Sequence, residues 1–150
     1  MSEIHIRRAQ VTDVEPIVGM LADDQFGATR ESPADLTPYR HAFAEIDADP
    51  NQLLVVADDR GHAVGTLQLT FIPGLARSGA RRAQIEAVRV HASHRGAGLG
   101  ATLVRWAIGE ARARDCALVQ LTSDSTRSEA HRFYERLGFA ATHTGFKLRL

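Results

Sequence analysis

Two kinds of chemistry can be read from residue types and spacing in this chain: anion binding and proton transfer. Arg95-Gly96-Ala97-Gly98-Leu99-Gly100 alternates glycine with other residues, and it sits between an apolar, β-branched run (residues 83–90) and a long helical pattern. Glycines let a backbone approach a phosphate closely. The unbonded N–H groups of a first helical turn then point at it, with the positive end of the helix dipole behind them. The spacing excludes two common phosphate loops. A nucleoside-triphosphate loop would end in Gly-Lys-Ser/Thr, and no such pair follows these glycines. A dinucleotide fingerprint would read G-x-G-x-x-G, whereas this loop reads G-x-G-x-G within R-x-x-G-x-G. For proton transfer the strand offers Glu86, set among Ile85, Ala87 and Val88, where partial burial would suit a carboxylate to act as a base. The alternative is a solvated Glu86, or one paired with Arg77, Arg81 or Arg82. His91 and His94 flank the loop, but H-x-x-H with no further ligand nearby predicts no metal site.

These residues need a strand, a loop and a helix to hold them. Along the strand, apolar Ile85 and Ala87 alternate with Gln84 and Glu86, and then Val88 and Val90 alternate with Arg89 and His91. The phase slips by one residue between Ala87 and Val88, as a β-bulge would make it slip; burial of both faces would also blur the alternation. After the glycines, Leu99, Leu103, Ala107 and Ala111 recur at i+4 and predict a helix from about Gly98 to Arg114.

The flanking chain supplies the rest of a mixed sheet. Glu3–Ala9 alternates as a strand, and Thr12-x-x-Glu15 with Pro16 reads as a capping box opening a helix through about Leu21. Ala22–Asp35 is loop or broken helix. Thr37-Pro38 starts a second helix that runs to about Ile46. Leu53–Ala57 and Val64–Phe71 form a hairpin about Asp58–His62, and Leu67, Leu69 and Phe71 share one face opposite Thr66, Gln68 and Thr70. Ile72–Arg82 is an exposed loop. Ala117–Thr122 is a short buried strand, and Thr126-x-x-Glu129 caps a last helix with Ala130, Phe133, Tyr134 and Leu137 inward and Gly138 as its stop. Phe139–Leu150 closes as a strand or hairpin arm. The order is β-α-α-β-β-β-α-β-α-β, an α/β (α+β) fold in one domain over residues 1–150.

Composition narrows the function. The chain is 44% hydrophobic and 24% charged, with net charge zero, which argues against a dedicated nucleic-acid binder. One cysteine, Cys116, opens an apolar run; it excludes an internal disulfide framework and reads as a buried thiol rather than a nucleophile. No apolar stretch approaches the ~20 residues of a membrane span, and Met1–Arg8 lacks a signal-peptide core, so a cytoplasmic protein is expected.

R-x-x-G-x-G after Val88-x-Val90 resembles the acetyl-CoA-binding motif of the GNAT superfamily of N-acyltransferases. Ala130-His131-Arg132-Phe133-Tyr134-Glu135-Arg136-Leu137-Gly138-Phe139 is similar to that family's C-terminal segment, A-x-x-F/L-Y-x-x-L-G-F. The resemblance implies a central mixed sheet of about six to seven strands with about four helices, and transfer of acetyl from acetyl-CoA to a primary amine within a ternary complex. It implies that the backbone of Val88, Arg89 and Val90 holds the pantetheine arm beside a bulge. Arg95, Gly96, Ala97, Gly98, Leu99 and Gly100 would then hold the pyrophosphate. Glu86 becomes the base, and Tyr134, by helical spacing a core residue, becomes the acid that meets the leaving thiolate. The family's asparagine before the last helix is absent, so Asp124 or Ser125 would take its place, with Arg127 reaching a CoA phosphate. A homodimer is implied as well. The amine would enter between Ala22–Asp35, the second helix and Ile72–Arg82, where Asp23, Asp24, Glu31 and Glu45 either attract a cation or are simply solvated. The competing reading is a non-catalytic acyl-CoA sensor or interaction module on the same fold.

Overall fold

Alternation of apolar and polar residues is realised as a sheet in the order β1-β2-β3-β4-β5, antiparallel from β1 to β4 and parallel between β4 and β5. The strands are β1 (Ile4–Arg8), β2 (Gln52–Asp59), β3 (His62–Ile72), β4 (Arg82–Val90) and β5 (Leu118–Gln120). Between them lie α1 (Val14–Ala22), α2 (Gly27–Arg30), α3 (Thr37–Ala48), the one-turn α4 (Ala76–Gly79) and α5 (Leu99–Ala113); α6 (Ser128–Arg136) follows. The structure, a computed structural model, describes residues 3–150. It forms two compact units, one ending at Gln120 and one covering Leu121–Leu150. Among the described residues no helix is long and apolar enough to cross a membrane.

In the first unit the two faces of β3 do different work. Leu67, Leu69 and Phe71 are buried on one face, the side of α5, and the Arg114 guanidinium lies 4.0 Å from the centre of the Phe71 ring. Gly65 is what lets α5 come so near: a Cβ there would lie 3.0 Å from Leu103 Cδ1 and 3.3 Å from Leu99 Cδ2. The opposite, more polar face is covered too. Thr66 is 1% exposed and donates its hydroxyl to Val55 O at 2.9 Å. On that side Ile17 and Met20 of α1 cluster with Val56 of β2, joined by Phe43 of α3.

The expected helix starts are partly redrawn. Thr37 and Pro38 open α3 as read. At α1 the Thr12/Glu15 box is not what caps the chain. Asp13 accepts the Gln10 N–H at 2.7 Å, and a 3-10 turn (Val11–Asp13) precedes the helix. Asp13 is drawn inward by Arg7, which donates through Nη1 and Nη2 to its two oxygens at 2.8 and 3.0 Å and through Nε to Asp58 at 2.7 Å. Asp58 in turn accepts the Gly61 N–H at 2.6 Å. One guanidinium thereby ties β1, the start of α1 and the β2–β3 turn together.

In the second unit α6 has no side-chain cap of its own at Arg127, so the Thr126/Glu129 box is not formed. Asp124 Oδ1 instead accepts both the Thr126 N–H (2.9 Å) and its hydroxyl (2.6 Å), which closes the preceding turn. The helix ends as read at Gly138, φ 99°. Phe139 N–H bonds Tyr134 O at 3.1 Å, Gly138 N–H bonds Glu135 O at 3.0 Å, and the Phe139 ring meets Tyr134 edge-on at 5.8 Å. Phe139–Leu150 forms no strand, and among the described residues the sheet has five strands rather than six to seven. An alternating segment is only competent to be a strand; the ladder has to come from a neighbour. Among the six helices of the described residues, α2 is a single turn and α4 is a four-residue turn with Arg77 and Ser78 in the left-handed region. Both turns are too short to show a 3.6-residue period, hence the expectation of four.

The Arg7 cluster has a pH signature. The bonds to Asp13 and Asp58 raise the Arg7 pKa. Burial pushes Asp13 up, but Arg7 and the Gln10 N–H outweigh it and hold the carboxyl below its ordinary value. Arg7 likewise holds Asp58 down, against burial and with help from the Gly61 N–H. Because the folded values are lowered, this stabilisation is present above the unfolded carboxylate value of about 3.9 and is lost as pH falls through the folded values. Arg7→Ala strands two largely buried carboxylates and should lower the free energy of urea unfolding by about 3 kcal/mol at neutral pH, with the deficit shrinking below about pH 4. A loss under about 0.5 kcal/mol would show that the cluster does not hold these elements.

Candidate functional site

The phase slip in β4 is a β-bulge. Gln68 pairs with Glu86 and Thr66 with Arg89, so Ala87 and Val88 both stand against Leu67. Ala87 takes the left-handed conformation, φ 54°. On the other edge β5 pairs only with Arg82, Ala83 and Gln84, and Gln120 Nε2 donates to Gln84 Oε1 at 2.9 Å on the last rung. The two parallel strands therefore part company just before the bulge. The β4 edge from Ile85 to Val90 has no β5 partner.

That edge leads into the glycine loop. Gly96 and Gly98 have φ 83° and 82°, and Gly98 is the N-cap of α5, its carbonyl accepting the Thr102 N–H at 3.1 Å. A Cβ on either glycine would meet nothing within 4 Å, so these residues answer to backbone conformation and not to packing inside the protein. The loop is anchored at its base. His94 Nε2 lies 2.8 Å from Asp59 Oδ2, and Ser93 Oγ lies 2.7 Å from both His91 Nδ1 and His94 Nδ1. Those histidines thus brace the loop. Among the described residues no three His, Cys, Asp or Glu side chains gather as metal ligands.

Two arginines join this edge to the segment after α1. Arg95 donates through Nε to Val90 O (3.1 Å) and through Nη2 to Asp23 Oδ2 (3.0 Å). Arg89 donates through Nη1 to Val88 O (2.9 Å), and its Nη2 lies 2.9 Å from Asp24 Oδ2. Asp23 and Asp24 are therefore not merely solvated, as one reading had them. Glu31 is engaged too, accepting the Tyr39 hydroxyl at 2.9 Å. No spacing in the sequence signals these pairs, since Asp23 and Arg95 are 72 residues apart.

Of the two readings of Glu86, partly buried or solvated, the structure shows the second. Its side chain is exposed, not partly buried, and its oxygen accepts Gln84 Nε2 at 2.5 Å in place of an arginine. It remains opposite Gln68, on the face covered by α1 and α3. There a pocket of ≈ 110 Å³ opens between α1, α3 and the sheet, with Gln68 and Ala87 in its wall. So Glu86, Val88, Arg89, Val90 and the loop from Arg95 to Gly100 lie along one strand–loop–helix segment of the first unit. Asp124, Arg127 and Tyr134 belong to the second. Burial, small there, and the Arg127 and Lys147 charges matter less for Asp124 than its bond from the Thr126 hydroxyl, which lowers its pKa. Tyr134 is half-buried in α6, edge-on to Phe133 at 5.0 Å. Cys116 is half-buried as well, and that burial raises its thiol pKa, which suits it poorly as a nucleophile.

Comparison with known proteins agrees with this segment. The family model described as the acetyltransferase (GNAT) family matches residues 18–139. The aminoalkylphosphonate N-acetyltransferase of Salmonella typhimurium is 27% identical over 97% of this chain and 91% of its own length. The streptothricin acetyltransferase of Streptomyces lavendulae is 30% identical over 93% and 82%. Among solved structures, a protein described as a transcriptional regulator from Bacillus halodurans is 47% identical, with TM-score 0.94 over 99% of this chain and 100% of that one.

The bulge is testable apart from any ligand. A β-branched residue in the left-handed region costs about 1–3 kcal/mol, while glycine adopts it freely. Ala87→Val should therefore lower unfolding stability by about 2 kcal/mol, and Ala87→Gly should leave it within about 1 kcal/mol. Equal losses from both would contradict a positive φ at this residue.

Proposed function

Since this chain belongs to the acetyltransferase (GNAT) family, we propose that it moves the acetyl group of acetyl-CoA onto a primary amine by direct transfer in a ternary complex. The observation that carries this reading is the run from an unpartnered, bulged strand edge into a left-handed glycine N-cap. The strand edge offers backbone N–H groups to an amide-bearing arm, beside Val88 and Val90 carbonyls that already accept from Arg89 and Arg95, and the helix start offers N–H groups to a pyrophosphate. Val88, Arg89 and Val90 would hold the arm; Arg95, Gly96, Ala97, Gly98, Leu99 and Gly100 would hold the phosphates. Asp124 and Arg127, residues of the second unit, are the remaining donor-binding candidates of this reading. The matched residues 18–139 run through both units, which supports one working domain over 1–150.

Acetyl-CoA supplies an activated thioester; the chain's own residues do the rest. Glu86 takes the proton of the incoming ammonium, directly or through water, and its exposed position leaves it open to solvent for that exchange. The new C–N bond forms as the C–S bond breaks, and the Tyr134 hydroxyl gives its proton to the departing thiolate. The second proton lost by the nitrogen passes through water to restore the Tyr134 phenol. Arg89 and Arg95 sit on the carbonyls of Val88 and Val90 and also hold Asp24 and Asp23, so donor and acceptor segments share the same two guanidiniums. A cytoplasmic setting and a homodimer belong to the proposal, with Phe146, Leu148 and Leu150 as the exposed apolar residues a second copy would cover. Neither nucleic acid nor membrane is a partner in it.

A second reading, an acyl-CoA sensor without turnover, is favoured by one observation: the 47% identical Bacillus halodurans protein is described as a transcriptional regulator. Turnover separates the two. With acetyl-CoA and a panel of primary amines, thiol should be released only when both are present. Tyr134→Phe should lower the single-turnover rate by about 10²–10⁴-fold, with melting temperature and acetyl-CoA affinity little changed. Binding without thiol release would favour the sensor, and a near-normal rate in Tyr134→Phe would leave solvent as the proton source.

A further inference from the structure

The pocket beside the bulge carries information about the acceptor. We infer that the amine this protein acetylates bears a small, uncharged hydrocarbon group of about four to five carbons, seated between α1 and α3; the inference rests on the acetyl-transfer reading above. No charged side chain among the described residues lines the pocket. Its lining is mainly aliphatic, with Ile17, Val18 and Leu21 from α1 and Phe43 and Ile46 from α3.

Each of the few polar side chains in the wall already makes a hydrogen bond within the protein. Thr66 donates its hydroxyl to Val55 O, Gln68 donates Nε2 to Gln52 Oε1 at 2.9 Å, and the Tyr39 hydroxyl is bonded to Glu31 and to the Ser32 N–H. A phosphonate, a phosphate or a hydroxyl-rich sugar would lose its water here and find no cation in return. A hydrocarbon loses nothing by entering. The size follows from comparison: a cavity of roughly 150 Å³ holds benzene, so ≈ 110 Å³ suits a smaller group.

The pocket also has a direction. Ala87, the bulge residue, forms part of its wall, and Gln68 in the same wall stands directly opposite Glu86 on β4. An amine whose hydrocarbon lies among the helices presents its nitrogen to the bulge and the Glu86 carboxylate. Glu86, opposite the wall residue Gln68 and bonded by Gln84 rather than by an arginine, places a negative charge on this side of the sheet. That suits a cation and repels an anionic amine. The aminoalkylphosphonate enzyme of Salmonella typhimurium, similar in sequence, is named for such an anionic amine. The pocket sets this chain apart from that class.

Thiol release from acetyl-CoA should be followed with ethylamine through heptylamine, isoamylamine, 2-aminoethylphosphonate and glucosamine 6-phosphate, alongside calorimetry with acetyl-CoA alone. Each buried methylene should raise kcat/KM about fourfold, up to about five carbons, beyond which the gain stops. Both anionic amines should fall at least about tenfold below butylamine. Ala42→Phe, at the exposed rim of α3, should flatten the chain-length series while acetyl-CoA affinity stays at the wild-type value. Turnover that favours the anionic amines, or shows no chain-length gradient, would overturn the apolar acceptor and leave acetyl transfer standing. Acetyl-CoA binding without thiol release from any amine would overturn both.

Discussion

The extra residue in β4 is the constraint on which the rest of the first unit's site depends. Side chains along a strand alternate with a period of two, so one inserted residue turns every later side chain to the other face and bends the strand. Ala87 absorbs that insertion at φ 54°, a conformation an L-residue holds only when its surroundings dictate it. Beyond the rung at Gln84 the β5 ladder stops, and the freed edge continues into the N-cap of α5. A regular β4 would keep its alternation through Val88 and Val90, and neither the open edge nor the pocket wall at Ala87 would be the same. Backbone strain at one residue is thus coupled to a linear arrangement that suits a long, jointed ligand with phosphates at one end.

The second organising feature is the use of arginine to fasten distant segments. Arg7 gathers two carboxylates that the fold would otherwise bury uncompensated, and so aligns β1, α1 and the β2–β3 turn. Arg89 and Arg95 do the same at the site, each bridging a β4 carbonyl and one of the neighbouring aspartates after α1. The Arg95–Asp23 pair is half-exposed and adds little stability on its own, whereas Arg89 and Asp24 are mostly buried. The tighter of the two ties lies nearer the bulge.

What the sequence revealed of this arrangement follows from the range of the signals. Period-two alternation is local, so the slip between Ala87 and Val88 located the bulge, and glycine spacing located the loop. Proline at the first turn and glycine at the stop located α3 and the end of α6. Long-range pairing leaves no such trace. Nothing in Thr12-x-x-Glu15 discloses that Asp13 will be claimed by Arg7, and nothing near Glu86 discloses that it will lie exposed against Gln84. The same limit applies to Phe139–Leu150, whose alternation describes a competent strand but cannot provide its neighbour. Of the region expected to admit the amine, Ala22–Asp35, the second helix and Ile72–Arg82, only the second helix lines the apolar pocket; its other walls come from α1 and the sheet, far away in sequence.

The account's central claim is that the open β4 edge and the glycine N-cap form one donor-binding surface. Amide hydrogen exchange with and without acetyl-CoA tests it most directly, because it reads backbone N–H groups one by one. The account predicts slowing of about tenfold or more at residues 86–90 and 96–101 together, with little change in β1 and β2. Saturating acetyl-CoA that leaves both segments exchanging at their free rates would contradict it.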